Sequence, residues 1–159
     1  MTNINFVNKV ANLERVTISL CSGAGNKARV PQRSGLNWGQ RPGRNPNQAY
    51  LAIPASVQRT DFFPPEGETF FITTDDGRTW ACARRQANGK AIHTVDDNAT
   101  LGKYFRERLG VDSGEMILIT HLQRFGRLAV DIYKQNGFSF LMEFSGKPIS
   151  TVDSSSYDK

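Results

Sequence analysis

The sequence predicts a mainly β domain of the barrel or sandwich type, with little helix and no repeated βαβ units. Short β-rich runs recur along the chain, among them RVTISL (15–20), AYLAIP (49–54) and ETFFITT (68–74). Turn signals separate these runs, and clear helical periodicity is rare. Many short strands divided by turns are typical of barrels and sandwiches. We therefore expect a β fold with two short helical stretches.

Two turn sequences predict hairpins in the middle of the chain. Asp75-Asp76-Gly77 lies between ETFFITT and RTWACARR, and Ala87-Asn88-Gly89-Lys90 lies between that run and AIHTV. Asp-Gly and Asn-Gly pairs tolerate the positive φ angles that tight hairpins require. Three consecutive strands are expected here.

One helix is predicted after these strands, where Asp96-Asp97-Asn98 offers capping side chains to NATLGKYFRERLGV. Apolar residues recur there at helical spacing, and Gly110 is placed to end the helix. The following runs MILITHL (116–122), Leu128–Tyr133 and FSFLMEF (138–144) are interpreted as strands. Residues 1–13 are expected to form a short lead and residues 146–159 a frayed tail.

The length and composition indicate a single domain over residues 1–159. The chain is 38% hydrophobic and 22% charged, which is ordinary for a globular protein. Cys21 and Cys82 form no C-x-x-C pair, so neither a disulfide framework nor an ordinary zinc site is expected. No export signal, membrane span or cofactor is predicted, and a reducing cytoplasm is the expected compartment.

Positive charge is concentrated in two windows. The net charge is only +5, but no acidic residue occurs between Glu14 and Asp61 or between Asp76 and Asp96. The first window contains a long Gly- and Pro-rich loop, Ser22–Gln48, which is an unusual length for a structureless connection. A single basic loop is often no more than solvated surface. Two such windows of similar composition favour a polyanionic partner.

The polar residues of both windows are of the types that read base edges. Arginine matches guanine O6 and N7, asparagine and glutamine match adenine, and arginine is also a good partner for phosphate. We expect double-stranded DNA with a short G·C-containing site as the partner. Trp38 either anchors the loop base or stacks on the DNA. The candidate DNA-binding residues are Arg33, Ser34, Asn37, Trp38, Gln40, Arg41, Arg44, Asn45 and Asn47 in the first window, and Arg84, Arg85, Gln86, Asn88, Lys90 and His93 in the second.

Long stretches of the chain resemble a known family of DNA-binding domains. SGLNWGQRPGRNPNQAYLAIP, DFFPPEGETFFITTDDGRTWACARRQANGKAIHT and LGKYFRERLGV are similar to the C-terminal recognition domain of restriction endonucleases of the NgoFVII and NgoAVII type. That domain resembles the B3-like domains of plant transcription factors and of the EcoRII and BfiI enzymes.

The resemblance implies a seven-stranded open pseudobarrel with two short flanking helices. It implies that the major groove is gripped between an N-arm, Arg33–Asn47, and a C-arm, Arg84–His93. By position in the arms, the leading base-reading candidates are Arg41, Arg44, Asn37, Arg84, Gln86 and Asn88.

The resemblance also bears on catalysis. Full enzymes of this type carry a phospholipase D-like nuclease domain whose motif places a Lys two residues after a His. Neither His93 nor His121 is followed by such a lysine. The expected role is therefore DNA recognition without catalytic or metal-binding residues, in a bacterial cytoplasmic enzyme whose linked nuclease domain cuts.

Three alternatives are weighed. A metal-dependent nuclease needs an Asp and a D/E-x-K element, but Asp131 and Lys134 have the wrong spacing and Asp75-Asp76 is accounted for by its turn.

A protein-interaction loop at residues 120–127 stays open. An RNA- or single-strand-binding barrel would expose aromatic residues on its sheet, whereas we expect these aromatics in the core: Phe62, Phe63, Phe70, Phe71, Trp80, Phe138, Phe140 and Phe144.

Overall fold

The fold is a seven-stranded mixed sheet that curls into a nearly closed barrel, as seen in a computed structural model that describes residues 4–146. In chain order the strands are β1 (Glu14–Ser19), β2 (Leu51–Ala52), β3 (Phe70–Thr74), β4 (Thr79–Arg85), β5 (Ala91–Thr94), β6 (Ala129–Asn136) and β7 (Ser139–Glu143). The strand order is β1-β6-β7-β3-β4-β5-β2.

The sheet is antiparallel except where β3 runs parallel to β7. The two edge strands, β1 and β2, approach each other without a hydrogen-bonded ladder. Such an arrangement is a pseudobarrel, and it confirms the predicted fold class. Both predicted hairpin turns, at Asp75-Asp76-Gly77 and at Asn88-Gly89, connect neighbouring antiparallel strands.

The barrel interior is filled by the inward-facing residues of alternating strand positions. Ile18, Ile72 and Ile132 are at most 1% exposed. A cluster of phenylalanines closes one side of this core, with Phe63 and Phe140 ring centroids 5.1 Å apart. Such contacts bury large apolar surfaces and so stabilise the curled sheet.

Within residues 4–146, four α-helical segments flank the sheet: α1 (Ile4–Val10), α2 (Ala55–Gln58), α3 (Thr100–Leu109) and α4 (Ile119–Phe125). The predicted helix is α3, which ends at Gly110 in a left-handed conformation. The expected lead instead contains α1, which packs Phe6 and Val10 against Tyr133 and Leu141 of the sheet. None of the described helices is long and apolar enough to cross a membrane.

The strand predicted at MILITHL is wrong, because Ile119–Phe125 forms α4. Leu122 is fully buried, and Ile119 and Phe125 lie against the same core. These residues are three apart, as the buried face of a helix requires, and Gly126 ends the helix with φ of +94°. A short apolar run is compatible with the periodicity of a helix and with that of a strand, so the sequence alone does not distinguish them here.

Two aromatic residues expected in the core are exposed. Phe71 is 43% exposed and Phe138 is 59% exposed. Phe71 lies between the inward-facing Phe70 and Ile72, so its side chain emerges on the outer face of β3. Phe138 lies in the turn between β6 and β7. The predicted frayed tail lies outside the described residues, apart from Gly146.

Candidate nucleic-acid interface

The N-arm, Arg33–Asn47, is a loop that folds back on itself. It contains the 3₁₀ turn Gly35–Asn37, and it closes where the N–H of Gly39 donates to the Gln48 carbonyl at 2.9 Å. A Cβ atom on residue 39 would lie 2.0 Å from the carbonyl oxygen of Asn45. Glycine is required at this crossing, because a side chain would force the two halves of the loop apart.

Asn37 fastens the N-arm to the segment that follows α3. Its side chain is fully buried, and its Nδ2 donates to the carbonyls of Pro31 at 2.9 Å and Ile117 at 2.8 Å. Its Oδ1 accepts the N–H of Ile117 at 2.8 Å. The Asn37 side chain cannot contact a base without breaking these hydrogen bonds, which in the folded chain hold the N-arm in place.

Asn47 and Gln40 add further fastenings between the N-arm and the same segment. Asn47 is 5% exposed; its Nδ2 donates to Ser113 Oγ at 3.0 Å and its Oδ1 accepts the N–H of Gly114 at 2.8 Å. The Nε2 of Gln40 donates to the carbonyls of Pro46 and Gly114. The amides of these two residues are thus largely engaged within the protein.

A buried arginine on α3, Arg106, completes this support and was not among the predicted residues. It is 1% exposed and donates to the Glu115 carbonyl at 2.8 Å, to the Gly102 carbonyl at 3.1 Å and to Asn37 Oδ1 at 3.5 Å. Burial lowers the pKa of Arg106 to about 10. The guanidinium therefore stays charged at neutral pH and links α3, the following segment and the N-arm.

The C-arm is the hairpin Arg84–His93, whose tip is held in a left-handed conformation. Gln86, Asn88 and Gly89 have φ of +71°, +61° and +63°. Asparagine and glycine tolerate such angles, whereas glutamine at this φ costs about 1–3 kcal/mol. A strained residue in a loop is a feature that proteins retain at binding sites, and here it sets the direction of the Gln86 side chain.

Arg84 forms hydrogen bonds that hold this tip in place. It is 8% exposed; its Nε donates to the Gly89 carbonyl at 2.9 Å, and its terminal nitrogens lie 3.4 Å from the carbonyls of Pro64 and Gln58. Like Asn37, this predicted base-reading residue is committed to internal partners. We assign it to positioning of the C-arm.

The two arms meet because the strands that carry them are neighbours. The N-arm leads into β2, which pairs with β5 at the end of the C-arm, so that Leu51 lies opposite Ile92. Tyr50 and His93, each adjacent to one of these residues, stack with ring centroids 5.9 Å apart. The register between β2 and β5 therefore fixes how far apart the arms lie.

Trp38 contacts both of these rings, and the side chain of Arg44 stacks on it. Its ring centroid lies 4.8 Å from that of His93 and 5.5 Å from that of Tyr50. The guanidinium carbon of Arg44 lies 4.1 Å above the Trp38 ring, and its Nε donates to Gln48 Oε1 at 2.7 Å. Trp38 is thus an anchor between the arms that also orients Arg44. Tyr50 was missed because it lies in a run with strand character.

The surroundings of His93 favour its neutral form. Burial lowers the pKa of His93, and the nearby charges of Arg85 and Arg44 lower it further. Its Nε2 lies 3.0 Å from Nε2 of Gln86. Because an amide nitrogen only donates, the histidine accepts through that atom and carries its proton on Nδ1.

The remaining candidates differ in exposure, which decides what they can reach. The buried candidates are Asn37, Asn47 and Arg84, as described above. The half-buried ones are Ser34, Trp38, Gln40, Arg44, Gln86 and His93, and the exposed ones are Arg33, Arg41, Asn45, Arg85, Asn88 and Lys90. The arms thus combine exposed cationic side chains with buried side chains that form hydrogen bonds within the protein.

Acidic residues considered for metal chemistry serve the fold. Asp131 Oδ2 lies 3.1 Å from Arg127 Nη2, and Asp75 Oδ1 lies 2.8 Å from Arg108 Nη1. Lys134 donates its Nζ to the carbonyl of Asp61. Among residues 4–146, no group of three or more His, Cys, Asp or Glu side chains is placed to hold a metal ion.

Comparison with known protein families places the chain among DNA-binding domains. The family described as the NgoFVII C-terminal B3-like DNA-binding domain matches residues 8–136. The chain belongs to this family. The match spans the N-arm, the C-arm and all but one of the strands, so both arms are parts of a B3-like DNA-binding domain and DNA is the partner that this family supports. No curated protein matches the chain.

Proposed function

We propose that this B3-like domain recognises a specific sequence of double-stranded DNA in the major groove, which its two arms enter together. The observation that carries the proposal is the junction of Trp38, Tyr50 and His93, which holds the arms at a fixed separation. The major groove, about 12 Å wide, accepts such projecting elements and distinguishes all four base pairs.

Side chains between the arms are the proposed base readers. The guanidinium group of Arg44 stacks on the Trp38 ring, and its Nε donates a hydrogen bond to Gln48. Within the described part of the chain, its two terminal nitrogens make no hydrogen bond. These two donors match guanine O6 and N7, so we propose a G·C pair in the target. Asn88 at the exposed tip of the C-arm and the oriented Gln86 are the proposed adenine readers.

We further propose that the domain is the target-recognition part of a restriction endonuclease. The name of the matching family supports this, because it describes a C-terminal domain of the NgoFVII enzyme. In this proposal, cleavage belongs to a phospholipase D-like nuclease domain in the same bacterial cytoplasmic enzyme, and the residues described here supply recognition alone.

The proposal is tested by selecting binding sites from a library of random duplexes with the 159-residue chain. We expect enrichment of one short motif that contains at least one G·C pair. Incubating the selected duplex with the chain and Mg²⁺ should leave it uncut, with EDTA as the control. Recovery of unrelated sequences would contradict specific recognition, and EDTA-sensitive cleavage would contradict the separation of recognition from cutting.

A single-stranded or RNA target is the second candidate, because two aromatic side chains are exposed: Phe71 on β3 and Phe138 in the turn before β7. The N–H of Phe71 donates to the carbonyl of Phe138 at 2.9 Å. Exposed aromatic residues on a sheet stack on unpaired bases. Competition between the selected duplex and its separated strands distinguishes the two functions, and the proposal requires that the duplex bind more tightly.

A further inference from the structure

A basic groove lies between the N-arm and the start of α4. Residues 29–34 together with Arg41 form one wall, and Leu118, Ile119 and Thr120 form the other. The contact with the C-arm is made by Trp38, whereas no C-arm residue lines this groove. The groove is thus lined by residues other than those that join the two arms.

The cationic wall has the electrostatic character of an anion-binding site. Arg29, Arg33 and Arg41 are exposed, and Arg41 Nη2 donates to the carbonyl of Arg33 at 2.9 Å. No salt bridge joins these arginines to a carboxylate anywhere in residues 4–146, and no acidic residue lines the groove. Three like charges at one surface repel each other, and a polyanion removes that repulsion.

The opposite wall has a different chemistry. Leu118 is 48% exposed and faces the same groove, which leaves an apolar side chain in water opposite three arginines. A DNA strand alternates phosphates with deoxyribose rings whose C–H edges are apolar. One cationic wall and one apolar wall therefore fit a single strand of the sugar-phosphate backbone better than they fit a free phosphate ion.

We propose that this groove binds the backbone of the strand that borders the major groove at the N-arm. Arg29, Arg33 and Arg41 contact consecutive phosphates, and a deoxyribose packs on Leu118. The inference rests on the proposed function, because it requires the N-arm to enter the major groove of a duplex. It adds a sequence-independent site to the base-reading surface between the arms.

The groove is tested with Arg29→Ala and with the pair Leu118→Glu and Leu118→Lys, measured on the selected duplex and on a random duplex of equal length. Arg29→Ala should weaken binding to both duplexes by the same factor and reduce the slope of log K against log salt by about one unit. Leu118→Glu should weaken binding to both several-fold, and Leu118→Lys should not. Lys9→Ala, which removes an exposed charge on α1, is the matched control and should leave both quantities unchanged.

The outcomes separate this inference from the proposed function. Unchanged binding and salt slope for Arg29→Ala and Leu118→Glu, alongside specific binding by the unmodified chain, would overturn the groove alone. Failure of the unmodified chain to prefer any duplex would overturn the proposed function and the groove with it. Loss in Arg29→Ala confined to the selected duplex would also overturn the inference, because it would make Arg29 a base reader.

Discussion

Among single residues of the arms, side chains of the same type differ in burial and in hydrogen bonding. Asn37 and Asn88 are both arm asparagines, but the first is fully buried and the second is exposed. Arg84 and Arg44 differ in the same way. Arg84 donates a hydrogen bond to the hairpin backbone, whereas Arg44 stacks on Trp38 and its terminal nitrogens make no hydrogen bond within the described residues. Composition alone therefore does not separate the buried arm residues from the exposed ones, and only the exposed ones are open to a partner without rearrangement.

The role of Arg44 predicts the effect of a substitution that keeps its charge. Arg44→Lys should weaken binding to the selected duplex by about 1–3 kcal/mol, because lysine lacks the planar pair of donors that guanine accepts. Binding to random duplex should change little, since the positive charge remains. Fluorescence anisotropy on both duplexes measures the difference.

Arg33→Lys is the matched control for this substitution. Arg33 lines the groove that we assign to the DNA backbone, where a point charge suffices, so both affinities should persist. Equal losses on the two duplexes for Arg44→Lys would show that Arg44 contacts phosphate and reads no base.

His93 makes the stability of the free protein dependent on pH. Its pKa is lowered from 6.5 in the folded chain, so between that lowered pKa and 6.5 the unfolded chain binds more protons. The free energy of unfolding must then fall as the pH drops through this window. Urea unfolding at pH 7.5 and pH 5.5 should therefore show a larger loss for the unmodified chain than for His93→Gln.

His121 also has a lowered pKa, but it is present in both proteins and its contribution cancels in the comparison. Parallel losses in the unmodified chain and in His93→Gln would mean that His93 accepts a proton as readily in the folded chain as in the unfolded one. That result would contradict the partial burial of His93 against Trp38 and Tyr50.

At the scale of elements, α3 is the support on which the N-arm rests. Gly102 lets the arm approach, because a Cβ there would lie 1.7 Å from the carbonyl oxygen of Asn47. Arg106, one turn later, binds the arm through Asn37. A helix with a glycine and a buried arginine on its contact face thus holds a loop that has little regular structure.

Gly102→Ala should therefore disturb the N-arm more than its size suggests. The close contact with Asn47 should lower the free energy of unfolding by about 1–3 kcal/mol or more, as overpacking of a core does. Specific DNA binding should fall at temperatures where the variant is still folded. Thermal unfolding and anisotropy provide the two measurements.

Gly137→Ala is the control, since a Cβ at residue 137 meets no atom within 4 Å. It should leave both stability and DNA binding nearly unchanged. An equally small effect of Gly102→Ala would show that the arm moves freely away from α3, and would contradict its role as a fixed support.

Local signals were sufficient for the hairpins and the main helix but insufficient for the support of the arms. The Asp-Gly and Asn-Gly turns and Gly110 act through their own backbone, so the residue types reveal them. Asn37 binds Ile117, which is 80 positions away in the sequence. The residues next to Asn37 in the sequence give no indication of that contact. Base-reading and positioning asparagines are therefore indistinguishable before the chain is folded.

At the scale of the whole molecule, the nearly closed sheet brings two distant basic windows to one place. The long connection between β1 and β2 supplies the N-arm, and the β4–β5 hairpin supplies the C-arm. Pairing of β2 with β5 places their ends side by side. Arg44 of the first acid-free window and Arg85 of the second thus lie near the same residue, His93, although the net charge of the chain is only +5.

We propose that the two arms together read bases in the major groove. Methylation interference on the selected duplex tests it directly, because dimethyl sulfate modifies guanine N7 in the major groove and adenine N3 in the minor groove. We predict that methylation of at least one guanine N7 within the selected motif prevents binding, and that methylation of adenine N3 there does not. Binding that tolerates every guanine N7 methyl group and is prevented by adenine N3 methylation would contradict the account.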